Sequence, residues 1–358
     1  MKPNENRGRV LVAMSGGVDS SVTALLLQRA GYDCVGVTMR LYDQIRIDCE
    51  KPVCCSLEDA EDARRIAETL GMDFHVLDYR DEFEEQVIDR FVDEYAHGRT
   101  PNPCILCNRH LKFGLLFDKA HELGCDYVAT GHYARVEQDE DGAFHLRCGL
   151  DPKKDQSYVL YTLEQHQLAH LLLPLGGIDK AEVRRIAEEN GLVNARKRES
   201  QDICFIPDGD YAAFLEREGV KSLEGSFVDT EGNELGKHNG IIHYTIGQRK
   251  GLGIAVGHPL YVTKIDAEAN TVTVGPKDAL QVPEFWIDDV IWTSGQTPAT
   301  PVQAEVRTHY HARRIPVRIH AHGSTARIEP QAPLGAVAPG QAAVFYQTDE
   351  VIAGGTIR

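Results

Sequence analysis

The stretch from Val10 to Ser21, VLVAMSGGVDSS, constrains this chain more than any other. It opens as a short apolar run, Val10 to Met14, with the length and composition of a buried strand. The run breaks into Ser15-Gly16-Gly17-Val18-Asp19-Ser20-Ser21, after which Val22, Leu25, Leu26 and Arg29 fall at helical spacing. A glycine-rich turn between a strand and a helix gathers backbone N–H groups at the positive end of the helix, which suits an anion. The glycines let a bulky anion come close to the backbone. Ser15, Ser20 and Ser21 add hydroxyl donors. Asp19 would repel a phosphate, so it is expected either to orient the loop or to meet a Mg²⁺ carried by the phosphates. The loop has neither the Walker A spacing nor G-x-G-x-x-G.

At 358 residues, 42% hydrophobic and 26% charged, the chain is long enough for two or three soluble globular domains. No apolar run has transmembrane length and Met1 to Arg9 carries no apolar signal core, so a cytoplasmic location without membrane association is expected. The net charge of −16 argues against a general nucleic-acid binder. The acidity is concentrated: residues 41–100 hold 7 Lys/Arg against 17 Asp/Glu. Basic groups cluster elsewhere, at Arg196-Lys197-Arg198, at Arg249-Lys250, and at Arg307, Arg313, Arg314 and Arg318. An acidic body with local basic faces can still hold one specific polyanion.

Short apolar runs at Cys34–Met39, Phe74–Leu77 and Tyr127–Thr130 alternate with helical patterns at Leu57–Leu70, Asp81–His97 and Asn108–Leu123, the first opened by a capping box at Ser56. This alternation predicts an α/β doubly wound parallel sheet, with ligands at the C-terminal strand ends. The Ser15 loop, Met39, the cysteine loops and Gly131-His132 all emerge there. Arg135–Gly149 reads as a hairpin, and Asp179 as the cap of a helix ending near Gly191. From about residue 216 the pattern changes to short strands and turns, with Gly240–Gly253 (GIIHYTIGQRKGLG) read as a strand followed by a basic, Gly-rich loop. Further strands are expected at Val302–Tyr310, Ile315–Ala321 and Ala343–Tyr346. The division expected is 1–215 for the α/β catalytic domain, 216–280 for a small central β-rich domain, and 281–358 for a C-terminal β-barrel.

Nine cysteines, an odd number in a large chain without an export signal, do not suggest a structural disulfide framework. Cys104 and Cys107 form a C-x-x-C at a loop–helix junction, where the dipole would stabilise the Cys107 thiolate. Cys204 lies in another loop, beside a basic run. Three readings stay open. Two of these thiols do sulfur chemistry; or Cys104, Cys107 and Cys204 ligate an iron–sulfur cluster with an open position; or they are ordinary cysteines or half a zinc site, for which no second pair is evident. Cys49, Cys54 and Cys55 have no assigned role and are read as incidental rather than as a sulfur relay.

SGGVDSS resembles the PP-loop of ATP pyrophosphatases. SGGVDSS, TPNPCILCN, ATGHY, KDQSY, SQDICFI, HYTIGQRKGLG and PGQAAVFY, in that order, resemble the bacterial tRNA-specific 2-thiouridylase family (MnmA/TrmU), from about Val10 to the C-terminus. The resemblance implies a tRNA-uridine 2-sulfurtransferase. ATP adenylates the C2 oxygen of the wobble uridine, a protein persulfide delivers sulfur, and AMP and PPi are released. It places ATP, with Mg²⁺, on Ala13, Met14, Ser15, Gly16, Gly17, Val18, Asp19, Ser20, Met39 and Gly131. It makes Cys204 the persulfide carrier and Cys107 the nucleophile that leaves a Cys107–Cys204 disulfide. It assigns tRNA contacts to Asn102, Pro103, Cys104, His132, Lys154, Asp155, Gln156, His309, Tyr310 and Gln341. The implied partners are tRNA, with Lys, Glu and Gln isoacceptors expected, and a cysteine desulfurase or sulfur carrier. Some members carry an acidic residue in place of Cys104 and an Arg in place of His309.

Overall fold

A computed structural model describes residues 7–42, 57–197, 203–254 and 257–358. The expectations that fall on Cys49, Cys54, Cys55, Ser56 and Arg198 lie outside the described residues.

The first strand β1 (Arg9–Ala13) runs into helix α1 (Val18–Arg29), as the period change at Ser15 requires. β2 (Asp33–Arg40), helix α2 (Leu57–Thr69) and β3 (Asp73–Asp78) follow. Two longer helices come next: α3 over 80–96, with a π-helical stretch at Glu84–Ile88, and α4 over 103–122, π-helical at Cys107–Leu115. Then come β4 (Tyr127–Ala129), the hairpin β5 (Ala134–Gln138) and β6 (Phe144–Cys148), the two-residue β7 (Leu171–Leu172) and helix α5 (Lys180–Glu189).

Five of these strands make a parallel sheet in the order β3-β2-β1-β4-β7. β1 is buried on both faces because successive side chains point oppositely. Val10 and Val12 face a core made with Ala63, Ile66, Val183 and Ala187 of α2 and α5. Leu11 faces the other core, with Phe83, Val87, Phe91, Leu111 and Leu116 of α3 and α4. The sheet is therefore doubly wound, and the strand order reverses between β1 and β4. Such a reversal opens a crevice at the carboxyl ends of the two strands, and the loop after β1 and the Gly131 turn after β4 line it.

Helix α4 starts five residues earlier than the apolar pattern indicates. Asn102 caps it by accepting the Cys104 N–H at 3.1 Å, and Pro103 occupies the first helical position, where its missing N–H costs nothing.

β8 (Gly225–Val228), β9 (Glu234–His238), β10 (Tyr261–Asp266) and β11 (Thr271–Gly275) form a small sheet in the order β10-β11-β8-β9 around Phe227, Val262, Val272 and Val274. The strand expected at GIIHY is instead a 3₁₀ turn, Ile241–His243. Its two isoleucines anchor in different cores, Ile242 under the parallel sheet and Ile241 against the small one as well, which an extended segment at a sheet edge does not provide.

Six strands close the C-terminal barrel: β12 (Phe285–Trp292), β13 (Val302–Arg307), β14 (Ile315–His322), β15 (Thr325–Pro330), β16 (Ala342–Gln347) and β17 (Glu350–Ile357). The order is β12-β15-β14-β13-β16-β17, and β17 pairs back with β12. β13 ends at Arg307, short of Tyr310. The β5–β6 hairpin extends this sheet through Arg147↔Glu350 and Leu146↔Val351, so the first part of the chain supplies two strands to the last. No described helix is long and apolar enough to cross a membrane.

Candidate active site

The loop after β1 is tightly tied. Met14 N–H donates to Val37 O at 2.7 Å, and the Thr38 hydroxyl donates to Met14 O at 2.6 Å. Ser20 Oγ accepts from Ser15 N–H at 3.2 Å and donates to Gly17 O at 3.0 Å. Gly16 has φ +70°, and a Cβ there would lie 2.2 Å from the Asp59 carbonyl, so only glycine fits. The Asn194 amide donates to Gly16 O at 2.9 Å and to Ser21 Oγ at 2.8 Å. Lys197 reaches across to Asp59 and Asp62, each at 2.6 Å.

Asp19 orients the loop through protein partners. Lys180 Nζ lies 2.7 and 2.8 Å from its two carboxylate oxygens, and the Tyr133 hydroxyl donates to Oδ1 at 2.8 Å. Its charge is thereby balanced, and the anion site keeps the backbone donors and helix end. Gly131 closes the other wall, where a Cβ would sit 3.0 Å from the Asp19 carbonyl carbon and 3.1 Å from the Ser20 nitrogen. The nucleotide residues expected from the sequence are thus drawn together: the Ser15 loop and Gly131 touch, while Ala13 ends β1 and Met39 is buried in the adjacent β2.

The thiols lie on the α3–α4 side of the sheet. Cys107 and Cys204 belong to one apolar cluster with Phe83, Phe91, Phe205 and Ile206. The Tyr42 hydroxyl holds the Cys204 carbonyl at 2.8 Å. Cys104 is exposed, Cys107 buried and Cys204 half-buried. The sequence points to a Cys107 thiolate stabilised by the helix end; the structure corrects this. With the helix beginning at Pro103, Cys107 lies beyond its first turn, where the dipole effect has faded. Burial instead pushes the Cys107 thiol up, against a smaller opposing effect of Lys112. The donor set does not fit a cluster: among the described residues no three His, Cys, Asp or Glu side chains come together so as to hold a metal ion.

Residues 8–208 match the family model described as the tRNA methyl transferase HUP domain, 212–276 the tRNA methyl transferase PRC-barrel domain, and 282–357 the aminomethyltransferase beta-barrel domain. The tRNA-specific 2-thiouridylase MnmA of Geobacter metallireducens is 50% identical over 357 residues, covering 98% of this chain and 97% of that protein. That of Clostridioides difficile is 47% identical over 352 residues, with 98% of each covered. The chain belongs to the tRNA-specific 2-thiouridylase family. Among solved structures, a 4-thiouridine synthetase–RNA complex with bound ATP is 19% identical, with a TM-score of 0.39 over 60% of this chain and 51% of that one.

The positions that the 2-thiouridylase resemblance assigns to tRNA divide into two groups. Asn102, Pro103 and Cys104 form the start of α4, and Cys104 lies close enough to Tyr310 to act on its phenol electrostatically. The Gln341 amide donates to Thr100 O at 2.9 Å, and Thr100 N–H donates to Pro339 O at 2.7 Å, so the barrel holds this loop. His132 is buried, with Nδ1 2.7 Å from the Thr130 hydroxyl and its ring 5.9 Å from that of Phe113; burial first, then Lys112, holds its pKa well below the ordinary value. The second group turns inward. Asp155 accepts from Gly149 N–H and Ser157 N–H, each at 3.1 Å, and from Arg307 at 3.2 Å. Gln156 accepts from Tyr133 N–H at 3.0 Å, and the Tyr310 hydroxyl donates to Asp155 O at 3.0 Å. Lys154 is half-buried at the same turn and His309 is exposed.

Sequence reasoning missed Lys180, Tyr133 and Asn194 around the anion loop. Tyr133 stands in the quoted ATGHY motif. Lys180 reads locally as the first residue of a capped helix, and nothing nearby marks its partner as Asp19.

Proposed function

We propose that this chain is an ATP-dependent tRNA-uridine 2-sulfurtransferase acting on the wobble uridine, with the three-part division 1–215, 216–280 and 281–358. The observation that carries the reading is the pairing of an anion loop, stripped of net charge at Asp19, with two cysteine thiols in one apolar cluster on the neighbouring face. A nucleotide-binding module has no need of the second feature, and a thiol oxidoreductase has no need of the first.

ATP lies with its phosphates over residues 13–20, Met39 and Gly131 flanking it. Mg²⁺ travels with the phosphates, and Asp19 is the one carboxylate of the loop. The uridine C2 oxygen attacks the α-phosphorus and PPi leaves. The terminal sulfur of a Cys204 persulfide attacks C2. The Cys107 thiolate then attacks Cys204 Sγ, breaking the S–S bond. Its electron pair remains on the sulfur at C2, and loss of AMP completes C2=S. The two cysteines end as a disulfide, two electrons oxidised, and an external dithiol reduces them before the next cycle. A cysteine desulfurase or sulfur carrier reloads Cys204, tRNA isoacceptors for Lys, Glu and Gln are the substrates, and the reaction is cytoplasmic.

The test is anaerobic thiolation of unmodified tRNA by metal-free protein with ATP and a persulfide donor, with Cys104→Ser, Cys107→Ser and Cys204→Ser in parallel. The reading requires 2-thiouridine and AMP from the parent, and none from the Cys107 and Cys204 variants. Activity that tracks bound iron and sulfide, with Cys104 equally required, overturns it.

A further inference from the structure

The proposed chemistry asks Cys107 to act as a thiolate, and the structure buries it. A buried thiol in apolar surroundings is ordinarily inert. The helix end is too far along the chain to offset this. Another positive group can oppose part of it.

The winding of α4 supplies one. From Cys107 to Leu115 the helix is π-helical. In a π-helix the i→i+5 hydrogen bond sets residue i+5 one turn above residue i. In an α-helix the same residue is rotated roughly 140° away. Lys112 is five residues after Cys107, so the π-helical winding, rare and frequent at functional sites, carries it to the face of Cys107. Lys112 is half-buried, and the charge of its ammonium is felt at both Cys107 and His132. His132 is packed against Phe113, the residue after Lys112. Among the described residues, the other titratable groups of the apolar cluster around Cys107 are Cys125, Cys204 and the phenols of Tyr42, Tyr79, Tyr95 and Tyr211, and neither a thiol nor a phenol can supply a positive charge. His132, itself buried, stays neutral beside the ammonium.

We propose that Lys112 is the positioning charge for Cys107, brought to its face by the π-helical turn so that the buried sulfur ionises more readily than burial alone would allow. This deepens the sulfurtransferase reading and rests on it. It accounts for the departure of α4 from α-helical winding at the nucleophile, and for reactivity in a buried sulfur. It also ties the nucleophile to His132, because one ammonium serves both.

The experiment follows thiolate ultraviolet absorbance against pH, as the difference between the protein and its Cys107→Ser variant, which isolates Cys107. The same difference is taken in Lys112→Met and Lys112→Arg backgrounds, each variant first checked by circular dichroism. The Cys107 midpoint is expected to rise by about one pH unit in Lys112→Met and to stay within a few tenths in Lys112→Arg. In thiolation, Lys112→Met lowers kcat at neutral pH, with recovery as pH rises and an unchanged KM for ATP. An unshifted midpoint in Lys112→Met, or an equal shift in Lys112→Arg, overturns the proposal. Should Lys112→Met not fold, Lys112→Gln is read by the same criterion. The titration needs neither ATP nor tRNA. A protein that shows the shift yet makes no 2-thiouridine therefore refutes the sulfurtransferase reading and leaves Lys112 in place.

Discussion

Lys180 Nζ sits 2.7 Å from one carboxylate oxygen of Asp19 and 2.8 Å from the other, joining positions 161 residues apart. The pair is largely shielded, with side-chain exposures of 11% for Lys180 and 30% for Asp19. Without Lys180, the carboxylate keeps the Tyr133 hydroxyl but loses its counter-charge in a loop meant for phosphates. Lys180→Met is therefore expected to raise the Kd for ATP at least tenfold, a loss of about 1.4 kcal/mol. Tyr133→Phe, which removes only one hydrogen bond to the same carboxylate, should cost less. Calorimetric titration with ATP checks both, and equal affinity in Lys180→Met and the parent would remove Asp19 neutralisation from the account.

A second prediction concerns the joint between the barrel and the catalytic half. Asp155 takes two backbone N–H groups and Arg307 of β13, with only 3% of its side chain exposed. Arg307 also lies over the Tyr346 ring at 5.3 Å. Removing one member of a buried pair leaves the other charge uncompensated. Asp155→Ala should lower unfolding stability by about 3 kcal/mol, and Asp155→Asn, which keeps an acceptor for the N–H groups, by less. Urea unfolding decides. A midpoint unchanged in Asp155→Ala would show that the joint is held elsewhere.

The same joint has a titrating latch. His145 of β6 lies 3.0 Å from Asp139 and 2.7 Å from Glu350, and hydrogen bonds from Asp139 first and Glu350 second raise its pKa above the ordinary value near 6.5. A raised pKa in the folded state means that the latch stabilises fully below the unfolded value. Its contribution is lost as pH rises through the folded one. Stability should fall as pH rises from the ordinary histidine value through the raised one in the parent and be flatter there in His145→Gln. Urea midpoints measured across that interval provide the comparison, and parallel profiles would exclude His145.

Much of this was legible in the sequence, and all but one of the exceptions share a cause. The Val10–Ser21 strand, turn and helix, the alternating βα units and the Arg135–Gly149 hairpin are local patterns, set by period and by glycine. That the hairpin extends the barrel through Arg147 and Glu350, some two hundred positions away, has no local trace. Lys180 is likewise readable only as a helix start. Pro103 misleads for another reason, since proline both stiffens loops and opens helices, and Asn102 decides between them. The sequence around Cys107 shows only its helix end. Its burial depends on Phe83 and Phe91 of α3 and on Phe205, and burial pushes the thiol up more than Lys112 pulls it down.

The Gly131 turn gives the last prediction. Its α-carbon faces the start of α1, and an added methyl would lie 3.0–3.1 Å from the backbone of Asp19 and Ser20. Those atoms belong to backbone rather than to a flexible side chain, so the strain falls on the loop itself. Ser20 carries the hydrogen bonds that fix Ser15 and Gly17, so any displacement spreads to the whole anion site. Close-packed contacts of this kind cost about 1–3 kcal/mol when a methyl is forced in. Gly131→Ala should weaken ATP binding roughly tenfold or more, in line with that range, while leaving the C-terminal barrel intact. The discriminating measurement is ATP affinity beside a thermal melt. Weaker binding with a parent-like melt supports a loop displaced locally, and unaltered ATP affinity would show that the nucleotide does not depend on the wall at Gly131.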